Sequence, residues 1–270
     1  GEVKYFLNAY KSVCRLEILK KSHRLTNEHI NFAQEISSSI AQRQNKEYFS
    51  KHKYSGEIHY TDQFSQIPVK DGESWTIMVT GSPVMSEIKE ILFNNRAWFK
   101  QTTAKGYVHY PVGAKIIAAL KCFFDLQEGK YVTKSNLLSY RTLVKPKNFK
   151  PKQLEELDSD QMYRSQDLQD MFGLDFSVGW KEVFENVKTP EWKKKKKYIA
   201  DCIEQGVDIF DKKPKIKLCT IHSMKGGEDD NTVVVGNMER PFHKKYNSFD
   251  YIKKDAIKRM FYVACTRAQR

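Results

Sequence analysis

The residues best suited to chemistry in this chain lie in two short stretches. Thr220-Ile221-His222-Ser223-Met224-Lys225-Gly226-Gly227-Glu228 is a polar, glycine-containing loop set between two apolar runs, Ile216 to Cys219 and Thr232 to Val235. An α/β sheet presents working groups in this way, on loops at strand ends. Tyr262-Val263-Ala264-Cys265-Thr266-Arg267-Ala268 sets a single arginine near the end of an apolar-striped helix. The loop carries hydroxyl and imidazole groups suited to phosphate oxygens, and a carboxylate able to accept from hydroxyls. The arginine is a delocalised cation of the kind that stabilises charge developing on a transferred phosphoryl group.

A third stretch, Leu19-Lys20-Lys21-Ser22-His23-Arg24, puts Arg24 in a turn between two expected elements. Before it, Arg15 to Leu19 alternates apolar and charged residues and reads as a strand. After it, Thr26 is a suitable N-cap, and Ile30, Ala33, Ile36 and Ile40 mark one face of a helix running to about Gln44.

Taken in order, the three stretches resemble motifs IV, V and VI of the superfamily 1 DNA helicases of the UvrD/Rep type. Motif V of that family reads T-x-H-S-x-K-G-x-E and motif VI reads Y-V-A-x-T-R-A. The resemblance implies that Arg267 is an arginine finger and that Arg24 contacts the same γ-phosphate. It implies that Glu228, after Gly227, accepts from the ribose hydroxyls, and that Thr220, His222 and Ser223 contact the backbone of single-stranded DNA. His23 stands where the family carries a tyrosine stacked on adenine, and a flat imidazole offers less stacking area. Gly227 replaces the leucine of K-G-L-E and should loosen the loop. Ala256 and Ile257 replace a pair of acids before motif VI.

The elements that must position these groups alternate between strand and helix. Gly1 to Lys11 reads as a helical piece, Glu57 to Tyr60 as a short strand, and Trp75 to Thr80 as a clearer one closed by Gly81-Ser82-Pro83. Val84, Ile88, Ile91 and Leu92 give the next helix its apolar face, and Ala97 to Thr102 is again strand-like. Such alternation predicts an α/β fold, a parallel sheet with flanking helices, which the resemblance implies is RecA-like. Residues 1–106 are then the first part of a motor domain, 107–213 a mostly helical insertion, and 214–270 its second part. Thr189-Pro190 resembles the start of a lysine-bearing helix that Gly206 ends. The run Thr232 to Val235 suits a strand buried on both faces. Arg240 to Asp250 reads as an irregular connection, and Asp255 as the cap of the last helix. Arg267 lies beside the apolar stripe of that helix, with its guanidinium expected to point outward.

Composition bounds the function. A formal net charge of +13 over 270 residues favours polyanionic partners, because basic side chains release counterions condensed on phosphates. Six lysines fall between Lys188 and Lys197, a run that equally suits a solvated helix face. The five cysteines form no C-x-x-C pair, so neither a zinc site nor a disulfide framework is indicated. No apolar run approaches the roughly 20 residues that cross a bilayer, and a soluble, cytoplasmic protein is expected.

No G-x-x-x-x-G-K-[ST] loop occurs in the sequence. A helicase needs such a loop for the phosphates and acidic residues for Mg2+. The expectation is therefore a second motor domain. ATP would bind between it and an N-terminal motor domain that also holds the Mg2+ ligands, with single-stranded DNA as the other partner and no metal ligands here. Alone, such a piece should hydrolyse nothing. Two alternatives stand beside this reading: a non-catalytic nucleic-acid-binding module with a degenerate helicase fold, and the helicase half of a helicase-nuclease.

Overall fold

The computed structural model describes residues 9–10, 13, 20–41, 43, 47–67, 73–102, 108–109, 111–143, 150–183, 190–211 and 214–269. Most of the helix expected over Gly1 to Lys11, and the strand expected over Arg15 to Leu19, lie outside them. The chain divides into two compact units, Gly1–Val84 with Cys219–Arg270, and Met85–Leu218.

The first unit contains β1 (Lys21–Ser22), α1 (Asn27–Ser38), β2 (Phe49–Ser50) and β3 (Trp75–Val79). From its C-terminal part come the end of β8 (Ile216–Thr220), β9 (Asn231–Val234), α9 (Arg240–Tyr246) and α10 (Tyr251–Cys265). β3 and β9 pair in parallel, with Trp75 opposite Asn231 and Met78 opposite Val234. On the other side of β3, Ile221 N–H donates to Val79 O at 3.0 Å. The fold is thus mixed α/β with a parallel central sheet and flanking helices, as a RecA-like domain requires. All five residues of β3 are buried, as expected for an internal strand of such a sheet. β9 differs from the reading of a strand buried on both faces. It is the last strand of its sheet, and its four residues are only half-buried.

The core of this unit joins Met78 of β3, Cys219 of β8, and Ile221 and Met224 of the following loop to Ile257, Met260 and Ala264 of α10. The spacing of the last three is the helical repeat that places one face of α10 on the sheet. The cap of α10 is Asp250, whose side chain accepts from Ile252 N–H, and not Asp255. Asp255 is buried inside the helix, where Oδ1 accepts from Ala41 N–H at 3.1 Å, while Lys258 donates to Ser39 O. These two bonds dock α10 on the end of α1. Residues Arg240–Tyr246, expected to be irregular, form a helix with proline in its first turn, a position where its missing N–H costs nothing.

Helix α1 ends at Ser38 rather than near Gln44. The hydroxyls of Ser37, Ser38 and Ser39 donate back to the carbonyls of Gln34, Glu35 and Ile36, which favours termination. Thr26 is the N-cap residue, but its hydroxyl meets His29 Nδ1 at 2.9 Å instead of capping the backbone. No strand forms over Glu57 to Tyr60. Instead Gly56 lies so close to Thr26 and His29 that an added Cβ would fall 2.5 Å from His29 Cε1.

Glu28 holds this loop from above: Gly56 N–H and the Ser55 hydroxyl both donate to its carboxylate at 3.0 Å. The Gly56 bond is the main reason its pKa falls from 4.5 to about 2. Because the folded value is depressed, the stabilisation is fully present above the unfolded pKa of 4.5 and disappears as pH falls through about 2. Glu28→Gln should therefore lower Tm at neutral pH, and the gap between the two proteins should close on acidification across that interval. A gap independent of pH in thermal melts would show that the carboxylate charge is irrelevant to the loop.

The second unit contains most of α2 (Ser82–Asn94), β4 (Phe99–Thr102) and β5 (Val108–His109), which pair antiparallel, and the beginning of β8. It is otherwise mainly helical: α3 (Ala114–Gln127), α4 (Lys134–Leu143), α5 (Pro151–Glu155), α6 (Ser165–Phe172), α7 (Trp180–Val183) and α8 (Pro190–Glu204). A small antiparallel ribbon, β6 (Val132–Thr133) with β7 (Met162–Tyr163), joins them. Phe123, Tyr140, Leu120, Leu168 and Ile199 are among its fully buried side chains. Tyr198 of α8 stacks on Phe93 at 4.1 Å and donates to Ala97 O at 2.5 Å. α8 is thereby fixed through its apolar face, and Lys193, Lys194 and Lys197 are exposed. No helix of the described residues is long and apolar enough to cross a membrane.

Candidate functional site

Three parts of the first unit converge on one edge. The first is the turn between β1 and α1. β1 pairs with β2 in parallel, and Ser22 Oγ accepts from Leu25 N–H at 3.1 Å and Arg24 N–H at 3.4 Å, which closes a tight side-chain-to-backbone turn. The turn leaves His23 exposed and brings Arg24 Nε to 2.5 Å from Glu228 Oε2. The Nε–H is not aligned for a hydrogen bond, so this is a charge contact. With the two side chains 35% and 45% exposed, solvent screens it, and such pairs contribute about 0–1 kcal/mol.

The second part is the loop after β8. Thr220 Oγ1 accepts from Ser223 N–H at 3.2 Å and donates to Ser223 Oγ at 3.1 Å, while Ser223 Oγ donates to Thr220 O at 2.8 Å. These bonds fold His222–Met224 into a single 3-10 turn with His222 exposed and Met224 buried. Gly226, at φ 87°, takes the left-handed conformation that glycine adopts without steric penalty. Gly227 does not loosen the loop as its replacement of leucine suggested. Its N–H donates to Met224 O at 2.9 Å, and an added Cβ would lie 2.8 Å from Met224 Sδ.

The third part is the end of α10. The guanidinium of Arg267 is not turned outward: Nε donates to Val263 O at 2.9 Å, Nη1 to Gly227 O at 3.2 Å and Nη2 to Thr266 Oγ1 at 3.0 Å. Burial pushes its pKa below the ordinary arginine value, and the Arg24 cation acts in the same direction while Glu228 opposes it. Two like charges are thus held near each other, with the Glu228 carboxylate against Arg24. A dianionic phosphate would relieve that repulsion.

Sequence reasoning missed four residues that build this edge. Asp229 ties the loop to both neighbouring elements. Its carboxylate accepts from the hydroxyls of Ser74 and Thr76, the latter at 2.6 Å, and from Asp230 N–H at 2.9 Å. Its backbone accepts from Gln269 N–H at 2.9 Å and donates to Arg267 O at 3.1 Å, a parallel bridge that fixes the chain on both sides of Arg267. Asp229 and Asp230 simply follow Glu228 in sequence, and nothing in the spacing singles Asp229 out.

The segment before Gly56 supplies the other three. His52 Nε2 donates to His23 O at 2.8 Å, and its ring lies 4.7 Å from that of Tyr54, whose hydroxyl reaches Gln269 O at 3.4 Å. Tyr48 and Tyr262 share a hydrogen bond of 2.5 Å between hydroxyls. The signal available beforehand was the density of aromatic and histidine residues between Tyr48 and Tyr54.

Among the described residues, no group of three or more His, Cys, Asp or Glu could hold a metal ion. The edge presents cations and hydrogen-bonding groups, and its chemistry is that of an anion-recognition surface beside exposed imidazole and phenol rings.

The sheet places this unit in the class of RecA-like α/β domains. Residues 201–270 match the family model of the UvrD-like helicase C-terminal domain. The match includes Glu228, Arg267 and the 220–223 turn but not Arg24. A comparison with curated proteins finds no match.

Proposed function

We propose that this chain is the C-terminal motor domain of an ATP-dependent DNA helicase or translocase. The observation that carries the reading is the meeting of Arg24 with Glu228 at 2.5 Å, beside an Arg267 that bonds to Gly227 O at 3.2 Å. Motifs far apart in sequence supply groups that a triphosphate would need from one side.

In this reading, ATP with Mg2+ is held chiefly by a companion N-terminal motor domain carrying the phosphate loop and the Mg2+ ligands. Its γ-phosphate draws Arg24 away from Glu228, and Arg267 exchanges its backbone carbonyls for phosphoryl oxygens as charge develops on them. Glu228, released, accepts from the ribose hydroxyls. His23, with the His52 and Tyr54 rings nearby, supplies flat surface at the adenine. His222 donates to single-stranded DNA phosphates, and Thr220 and Ser223, whose hydroxyls brace the turn, position it and add bonds of their own where DNA displaces their mutual one. Domain closure and opening would then move the strand.

Steady-state ATP turnover by the motor bearing this domain tests the reading. Turnover should rise on adding oligothymidylate, and Glu228→Ala should raise KM for ATP by roughly tenfold, the loss of one charge-assisted hydrogen bond of about 1.5 kcal/mol. Turnover indifferent to DNA, with an unchanged KM, would contradict it.

A further inference from the structure

The turn joining α9 to α10 carries an exposed aromatic and basic surface that the proposed site does not use. Phe249 is 107% exposed, and Tyr246, Tyr251 and Ile252 beside it are also exposed. The turn that displays them is bonded throughout: Asn247 N–H donates to His243 O at 3.0 Å, Ser248 N–H to Lys245 O at 3.3 Å, and Asp250 N–H to Ser248 Oγ at 3.1 Å. Asp250 then caps α10. A ring standing in water on a braced turn has no packing reason to be phenylalanine.

Cations surround it. Between residues 240 and 254, Arg240, Lys244, Lys245, Lys253 and Lys254 face a single acid, Asp250. Lys253 pairs with that acid at 3.2 Å, Lys254 lies over the Tyr246 ring and Lys245 over the Phe242 ring, each at 5.9 Å from the centroid. Lysine is depleted at the centre of protein–protein interfaces, which disfavours a protein partner here. A membrane-binding helix buries one continuous apolar face, yet that of α10 is already spent on the core through Ile257, Met260 and Ala264. Flat rings interleaved with flexible cations suit a single nucleic-acid strand, whose bases stack while its phosphates are neutralised.

We propose that the Tyr246–Lys254 turn is a second binding surface for single-stranded nucleic acid, with Phe249 as its stacking platform and Lys244, Lys245, Lys253 and Lys254 as phosphate partners. This rests on the reading of the chain as part of a nucleic-acid motor and adds a surface distinct from Thr220, His222 and Ser223.

Fluorescence anisotropy of a labelled oligothymidylate with the whole chain tests it. Phe249→Ala should weaken binding by roughly 5- to 100-fold, the loss of one base–aromatic stack, with an unchanged circular dichroism melt, and Phe249→Trp should preserve affinity. Replacing the four lysines with glutamine should flatten the salt dependence by about 0.7 in log–log slope for each phosphate no longer neutralised. His222→Ala, measured in parallel, reports on the first surface. Parental affinity in Phe249→Ala, with weakened binding in His222→Ala, overturns this proposal and leaves the earlier reading standing. A parent that does not bind the oligonucleotide overturns both. Loss of binding to phosphatidylserine vesicles by Phe249→Ala, with oligonucleotide binding intact, overturns it in favour of a membrane surface.

Discussion

Replacing Arg267 with alanine is expected to lower kcat for DNA-stimulated ATP hydrolysis by roughly 10³-fold or more, with little change in nucleotide affinity. The expected loss corresponds to about 4 kcal/mol of transition-state stabilisation. Its size follows from where the side chain sits. The guanidinium is partly withdrawn from water, is fixed by Val263 O, Gly227 O and Thr266 Oγ1, and lies close enough to the Arg24 cation for its pKa to be lowered. In the absence of nucleotide its donors are satisfied by neutral oxygens, so exchange for ground-state ATP gains little. The gain comes when negative charge accumulates on the phosphoryl group. Arg267→Lys should not rescue, because an ammonium presents no planar fork. A kcat within a few-fold of the parent would remove Arg267 from the chemistry.

Asp229→Ala is expected to cost about 3 kcal/mol of stability and to impair turnover as well. Thr76 is fully buried, and the Asp229 carboxylate is the acceptor for its hydroxyl at 2.6 Å. Truncation leaves that hydroxyl without this partner, along with the Ser74 hydroxyl and Asp230 N–H. A buried donor left unsatisfied costs about 1–3 kcal/mol. Thr76→Val in the Asp229→Ala background should recover part of the loss, since removing both partners is cheaper than removing one. Urea denaturation of the four proteins of this cycle measures the coupling. Additive losses would show that the two residues are energetically independent. Because the Asp229 backbone brackets Arg267, the single variant should also lower kcat, whereas a purely structural role would leave the turnover of the folded fraction unchanged.

The amphipathic α10 and the strands β3 and β8 were legible because periodicity and β-branched runs report local burial directly. Ile257, Met260 and Ala264 had to face one way whatever they packed on. Arg24, Glu228 and Arg267 were singled out through the order of their motifs. Partnership across the chain was not. Asp255 read as the cap of α10, but it accepts from the Ala41 N–H, 214 residues away in sequence, from inside the helix, and Asp250 begins it. The serine run that stops α1 acts through side-chain bonds that helical periodicity ignores. β9 looks like an interior strand by composition, but sheet order, which composition does not encode, makes it the last.

The central claim is that Arg24 and Arg267 meet on one nucleotide phosphate, with Glu228 released to the ribose hydroxyls. Nitrogen-15 NMR of the arginine side chains, followed while ATP is titrated into the whole chain, addresses it most directly. The account predicts that the Nε–H signals of Arg24 and Arg267 shift together along one binding curve, and that Arg24 shifts as its pairing with Glu228 is exchanged for phosphate. Signals that stay fixed while other residues report nucleotide binding, or that follow two unrelated curves, would contradict it.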